Sequence, residues 1–223
     1  MFIGHYAVGF AAKRVAPRTS LGLLLGSAVL LDLMWPIFLL LGWEEVRVTR
    51  GPTPFLNLDF VSYPISHSLV ASIGWALAAG GVYWVATRYR PGALWIAVGV
   101  VSHWLLDFVT HRPDLALWPG GPRVGLGLWN STLATIAVEG VFFAAGLWLY
   151  LSFTEPRDRN GRRGLLAFVV FTIAIYASSI ASPPPPNARA VAWVGLASWL
   201  MPVWAWWFDK HRSVEIGLAR ERG

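Results

Sequence analysis

Residues 93–111 read ALWIAVGVVSHWLLDFVTH, and they are the most informative stretch of the chain. The stretch is long and apolar enough to cross the hydrocarbon core of a bilayer as a helix, which takes about 20 residues. Its only ionisable side chains are His103, Asp107 and His111. The sequence therefore predicts a membrane-spanning helix that carries an unusual set of polar groups.

The composition of the whole chain agrees with a membrane location. Of 223 residues, 56% are hydrophobic and 13% are charged, whereas a soluble globular protein is about 45–50% apolar and about 25% charged. The absence of Cys excludes a disulfide scaffold. The predicted spans are Leu21–Trp43, Ile65–Ala86, Ala93–His111, Thr132–Phe153, Gly164–Ala181 and Val191–Phe208. We expect an all-α polytopic membrane protein of about six transmembrane helices, with a short N-terminal helix packed against the first span.

Positive charge is distributed unevenly between the predicted loops. Thirteen of the 18 Lys and Arg residues fall on one side of the membrane and five on the other, and the larger group comprises Lys13, Arg14, Arg18, Arg88, Arg90, Arg157, Arg159, Arg162, Arg163, Lys210, Arg212, Arg220 and Arg222. The positive-inside rule puts this group in the cytoplasm, together with the C-terminus. Because the basic residues are scattered through short loops, they indicate orientation in an inner or plasma membrane of a prokaryote and no nucleic-acid partner. No basic segment precedes the apolar first 13 residues, so no cleaved signal peptide is expected.

Three acidic residues lie inside predicted spans, namely Asp32, Asp107 and Glu139. Each costs roughly 2.5–3.5 kcal/mol on insertion scales, so the three together cost about 8–10 kcal/mol. The spans contain no Lys or Arg that could offset this cost. The candidate partners are therefore histidines or a bound cation.

Four of the five histidines are placed where they could serve as partners. His103, Asp107 and His111 follow i, i+4, i+8 spacing and occupy one arc of a helix. His67 begins the second span at its outer end, and His5 reaches the depth of Asp32 if residues 1–13 fold back on the first span. The sequence therefore predicts a His/Asp cluster in the outer half of the membrane.

Imidazole and carboxylate ligands suit Zn²⁺ or a similar divalent ion, and we expect one or two such ions. His5, Asp32, His67, His103 and Asp107 are candidate ligands, with His111 as a further one. Glu139 could be a ligand, a general base or a partner of a ligating histidine. The alternative for each residue is a structural hydrogen bond between helices.

The order of these residues resembles that of the predicted membrane-bound metal-dependent hydrolases, distant relatives of zinc-dependent phospholipase C and P1-type nuclease. The resemblance rests on the segments Ile3–Tyr6, Leu31-Asp32, Pro64–Leu69 and Ser102–Asp107, which span roughly the first half of the chain. It implies that Asp32, His67, His103 and Asp107 hold a first metal. It further implies that Asp107 bridges to a second metal, which also uses His5.

The long loop 112–131 follows the ligand-bearing helix directly and contains Arg112 and Arg123 as its only cations. Long loops in compact proteins are often functional, and two arginines beside a metal suit a phosphate or phosphodiester group. The alternative is a structured lid with solvated arginines. The loop 44–64 faces the same side and contains Asp59, to which the sequence assigns no role.

These observations predict an integral-membrane hydrolase that acts through metal-activated water on a phosphoester of a lipid or lipid-linked substrate. Asp107 and Glu139 are the candidate catalytic side chains. The chain is expected to form one domain, with a metal-site half at about 1–131, scaffold helices at about 132–208 and a basic cytoplasmic tail at 209–223.

Three alternative functions involve similar residues. A lipid-phosphate phosphatase with a nucleophilic histidine is excluded, because its motif needs an Arg six residues before the His and position 97 is Ala. A transporter or channel could use Asp32, Asp107 and Glu139 as an ion path, although no inverted repeat relates the two halves of the chain. A non-catalytic membrane metal-binding protein is the third possibility.

Overall fold

The computed structural model describes residues 1–214. Its helices are α1 (Gly4–Val15), α2 (Leu21–Ala28), α3 (Leu30–Leu40), α4 (Pro64–His67), α5 (Leu69–Thr87), α6 (Arg90–Thr110), α7 (Thr132–Leu151), α8 (Arg159–Ala181), α9 (Ala188–Ala197) and α10 (Leu200–Asp209). Helices α5, α6, α7 and α8 and the combined α9–α10 segment are each long and apolar enough to cross a membrane, and the bent pair α2–α3 makes up to six spans. The predicted all-α polytopic membrane fold is confirmed.

The first span is not the continuous helix predicted from Leu21 to Trp43. Helices α2 and α3 meet at an angle of 60°, because Val29 leaves the helical conformation, with φ −115° and ψ 15°. The break places Asp32 in the first turn of α3. It also turns the carbonyl of Ala28 towards α6, where Nδ1 of His103 lies 2.9 Å from it.

The second span also begins later than predicted. His67 ends the separate single turn α4, and Ser68 adopts an extended conformation before α5 starts at Leu69. The Ser68 hydroxyl accepts a hydrogen bond from the backbone N–H of Ala71 at 3.2 Å and so caps α5. His67 therefore lies on a short turn outside the spanning helix, which corrects the prediction.

Helix α1 folds back and packs against α2 and α7, as predicted for a short N-terminal helix. Gly146 of α7 allows the close approach, because a Cβ atom there would lie 2.6 Å from the carbonyl oxygen of Ala7. At the other end of α1, the buried Lys13 ammonium lies 2.6 Å from Oδ2 of Asp209, the last residue of α10. The same carboxylate accepts from the hydroxyl of Tyr150 at 3.0 Å.

Short antiparallel strand pairs occupy segments predicted to be loops or tail. The strands are β1 (Glu45–Val48), β2 (Leu58–Ser62), β3 (Leu115–Ala116), β4 (Arg123–Val124), β5 (Thr154–Pro156) and β6 (Arg212–Val214), paired as β1–β2, β3–β4 and β5–β6. The predicted tail from 209 thus starts with the end of α10 and strand β6, which the buried Arg212 ties to the carbonyl of Thr154 at 2.9 Å. The rest of the predicted tail, 215–223 with Arg220 and Arg222, lies outside the described residues.

Candidate metal centre

Helix α6 supplies the centre of the candidate site. His103 and Asp107 lie one turn apart on its buried face, and Nε2 of His103 is 3.1 Å from Oδ2 of Asp107. The imidazole is fixed from its other side, since Nδ1 faces the carbonyl oxygen of Ala28. A carbonyl oxygen can only accept, so Nδ1 carries a proton, and in the neutral imidazole Nε2 is the nitrogen with the free lone pair.

Asp32 and His67 complete a group of four around this lone pair. Oδ1 of Asp32 lies 3.6 Å from Nε2 of His103 and 3.4 Å from Nε2 of His67. Nε2 of His67 lies 3.8 Å from Oδ2 of Asp107. Residues from α3, α4 and α6 therefore bring two imidazole nitrogens within 3.8 Å of oxygens from two carboxylates, and the ligand atoms of Asp32, His67 and His103 all lie within 4.8 Å of one another.

The spacing of these four atoms fits a divalent metal. Zinc–nitrogen and zinc–oxygen bonds of about 2.0–2.2 Å in a tetrahedral arrangement separate the ligand atoms by roughly 3.3–3.6 Å, and the four distances here run from 3.1 to 3.8 Å. Nε2 of His103 is buried and, within residues 1–214, has no hydrogen-bond partner of acceptable geometry. A buried nitrogen without a partner is costly unless something else, such as a cation, satisfies it.

A second group uses the opposite oxygen of Asp107. Nε2 of His5 lies 3.1 Å from Oδ1 of Asp107, and the His5 ring stacks on that of His103 with centroids 3.7 Å apart. The amino group of Met1 donates to the same Oδ1 and to the hydroxyl of Thr110. His5, His103 and Asp107 offer ligand atoms that lie within 4.8 Å of one another, as do Asp32, His67 and His103. The two oxygens of Asp107 face different histidines, Oδ1 facing His5 and Oδ2 facing His67 and His103.

His111 does not join either group, in contrast to the expectation from its i+8 spacing. Helix α6 ends at Thr110, and His111 is extended, with φ −67° and ψ 151°. The helical arc therefore stops before this residue. Its Nδ1 lies 2.9 Å from Oδ1 of Asp114, and its ring lies 4.1 Å from that of Trp129.

Tyr63 shares Asp114 with His111 and lies beside the candidate site. Its hydroxyl donates to Oδ1 of Asp114 at 2.8 Å, and its ring centroid is 5.3 Å from that of His67. Burial, with the Asp114 charge nearby, raises the pKa of the Tyr63 hydroxyl well above its usual value. Tyr63 therefore stays protonated and acts as a donor.

Glu139 takes a different place from the one expected for a ligand. One oxygen of its carboxylate accepts from the backbone N–H of Phe2 at 2.7 Å and of Gly4 at 3.3 Å. These bonds satisfy free donors at the start of α1. Glu139 therefore anchors the start of the helix that carries His5. The other oxygen is buried and has no hydrogen-bond partner within the part of the chain that the structure describes.

The two loop arginines differ in their surroundings. Arg123 is exposed, donates to the carbonyl of Val61 at 2.8 Å, and lines a cavity of about 240 Å³ together with Tyr63 and Asp114. Arg112 is partly exposed in the turn after α6. Asp59 is exposed on β2 opposite Arg47.

Sequence reasoning missed the groups that hold the ligands in place. The carbonyl of Ala28 became a partner of His103 only through the break in the first span. The Ser66 hydroxyl lies 2.7 Å from Nδ1 of His67 and donates to the carboxylate of Glu44. Ser66 stands next to a candidate ligand in the sequence, which is a usable signal. Glu44 lies 22 residues before Ser66, and no local sequence feature indicates that the two residues are in contact.

The comparison with known families points to a membrane protein. The family model described as YdjM inner membrane protein matches residues 56–183. This range contains His67, His103, Asp107 and Glu139, whereas His5 and Asp32 precede it. No curated protein and no solved structure matches the chain.

Proposed function

The chain belongs to the YdjM inner membrane protein family, and we propose that it is a metal-dependent hydrolase embedded in the inner membrane. Asp32, His67, His103 and Asp107 are the proposed ligands of the metal. His5 and Asp107 are the proposed ligands of a second ion, since Nε2 of His5 lies 3.1 Å from Oδ1 of Asp107. Of the ions that such ligands accept, zinc is the one that we propose.

One observation supports this proposal above the others. Two imidazole nitrogens each lie 3.1–3.8 Å from oxygens of two carboxylates, although Asp32, His67 and the pair on α6 come from distant parts of the chain. Two carboxylates that face the same pair of imidazoles repel each other unless positive charge lies between them. Nε2 of His103 lies 3.1 Å from the Asp107 carboxylate, but within residues 1–214 it makes no hydrogen bond of acceptable geometry, as a purely structural network would require.

A divalent cation in this place supplies Lewis acidity, which polarises a phosphoryl or acyl centre and makes water nucleophilic near neutral pH. Neighbouring residues orient the ligands, and the exposed side of the site leaves room for a substrate. The Asp32 side chain is 42% exposed, whereas those of His67, His103 and Asp107 are at most 5% exposed. We therefore propose that a substrate approaches from the side of Asp32.

The position of the site along α6 supports a lipid or lipid-linked phosphoester as substrate. Asp107 lies three residues before the end of the helix, a distance of about 4.5 Å along its axis, and His103 lies about 10 Å from that end. A group at this depth is within reach of a lipid headgroup at the membrane boundary. Arg123 on the adjacent hairpin is the proposed contact for the phosphate. From the distribution of loop charges, we propose that this end of the bundle lies at the outer face.

Metal content provides the first test of the proposal. We expect the protein purified in mild detergent to contain one or two equivalents of zinc or a similar transition metal by elemental analysis. His103→Ala and Asp107→Ala are expected to lose it. His211→Ala is the matched control, because His211 pairs with Asp158 at 2.7 Å outside the cluster. Wild-type protein without a transition metal, or equal metal in all four proteins, contradicts the proposal.

Turnover provides the second test. The metal-loaded protein is expected to hydrolyse at least one member of a panel of phospholipids and isoprenoid phosphates, to lose activity with a chelator and to regain it when zinc is restored. Metal binding without turnover of any such ester would instead support a non-catalytic membrane metal-binding protein.

A further inference from the structure

We infer that Glu44 and Ser66 form a hydrogen-bonded relay that positions His67 as a metal ligand, an inference that rests on the proposed metal centre. The Ser66 hydroxyl donates to Oε2 of Glu44 at 2.6 Å and lies 2.7 Å from Nδ1 of His67. All three residues are at most 5% exposed. Water therefore does not compete for these hydrogen bonds.

The direction of each hydrogen bond follows from the groups involved. The Glu44 carboxylate has three donors aimed at it, namely the Ser66 hydroxyl and the backbone N–H groups of Ile65 and Ser66, both at 2.8 Å. Because the single Ser66 hydroxyl proton points at the carboxylate, a lone pair of its oxygen faces His67. Nδ1 of His67 must then carry the proton.

The tautomer selected in this way has a consequence for the metal site. With the proton on Nδ1, Nε2 of His67 keeps its lone pair, and this atom lies 3.4 Å from Asp32 and 3.8 Å from Asp107. Ligating histidines generally have such a partner on the other ring nitrogen, which fixes the ring and strengthens the ligand. His103 achieves the same through the carbonyl of Ala28.

A purely structural role for Glu44 makes a different prediction. Its Oε1 atom accepts from two backbone N–H groups at the start of α4 and so stabilises that turn. Only Oε2 reaches the Ser66 hydroxyl. The two roles therefore use different oxygens and can be separated by substitution.

The test compares three variants of the full-length protein by zinc affinity, measured by competition with a chromophoric chelator. Glu44→Gln keeps an amide oxygen for the backbone donors, but its NH₂ group donates to the Ser66 oxygen. The hydroxyl proton then turns towards His67 and favours the tautomer that cannot ligate. Ser66→Ala removes the link. Ser68→Ala is the control, because this equally buried hydroxyl bonds the carbonyl of Pro64 and caps α5.

We expect Glu44→Gln and Ser66→Ala each to weaken zinc binding by about 10–100-fold, the range found when the partner of a ligating histidine is removed. Ser68→Ala is expected to bind zinc like wild type while unfolding at a lower temperature. Wild-type zinc affinity in both relay variants contradicts the relay but not the proposed metal centre. A wild-type protein that binds no zinc overturns both. Should one relay variant fail to fold, the other decides the question.

Discussion

The two candidate metal carboxylates should differ in what they contribute to the fold, and Asp107→Asn and Asp32→Asn test this. Asp107 is buried and lies 3.1 Å from both His5 and His103, and its carboxylate also accepts from the amino group of Met1. Asp32 lies 3.4 Å from His67 and 3.6 Å from His103, and its side chain is 42% exposed. Both substitutions keep the size of the side chain and remove its charge.

The expected magnitudes follow from burial. Removing one partner of a buried, hydrogen-bonded charge network costs about 3–5 kcal/mol, because the remaining charge stays buried without a partner. Removing a charge from a half-exposed pair costs about 0–1 kcal/mol. We therefore expect Asp107→Asn to lower the free energy of unfolding several-fold more than Asp32→Asn does. Both variants should lose zinc affinity, since each removes one ligand oxygen.

The assay is denaturant titration in mild detergent with a chelator present, so that metal binding does not contribute to the free energy of unfolding. Zinc affinity is measured separately on the same preparations. Equal destabilisation by the two substitutions would refute the argument from burial. Loss of stability in Asp107→Asn with wild-type zinc affinity would show that the carboxylate serves the fold alone.

Three further outcomes are expected. Lys13→Met breaks the buried ion pair with Asp209 and should lower the free energy of unfolding by about 3–5 kcal/mol. The control Lys210→Met removes only a cation over the indole ring of Trp206 and should lower it by about 0.5–1 kcal/mol. Equal losses in the two variants contradict this prediction. Gly146→Ala forces α1 away from α7 and should cost about 1–3 kcal/mol in the same titration, so unchanged stability contradicts the close contact. Arg123→Gln should raise the KM for a phosphoester and leave metal content unchanged, because Arg123 lies outside the cluster; a loss of metal contradicts this placement.

Much of the architecture could be predicted because the bilayer limits what an apolar chain can form. Segments of about 20 apolar residues satisfy their backbone groups in lipid only as helices, so α5 to α8 were expected within a few residues of their observed bounds. The i, i+4 spacing of His103 and Asp107 puts both on one face of a helix, whatever the rest of the chain does. Local spacing therefore identified the centre of the candidate site.

Residue spacing gave wrong positions where a helix ended, and it gave no information on contacts between helices. His111 left the predicted arc because α6 ends at Thr110. His67 lies on the separate turn α4, since Ser68 starts a new helix. Glu139 met the backbone at the start of α1, a contact that no spacing within α7 indicates.

The amino-acid sequence alone determined that the chain crosses a membrane as helices and that its buried acids need partners, because hydropathy and the cost of burying charge depend on residue type. Only the tertiary structure decided which partners each group received. Because the helix breaks at Val29, the carbonyl of Ala28 contacts Nδ1 of His103. Chain folding places the Glu44 carboxylate next to the Ser66 hydroxyl. The direction of these hydrogen bonds depends on which donors and acceptors come into contact. Because these groups belong to distant segments, tertiary packing decides the contact and local sequence does not.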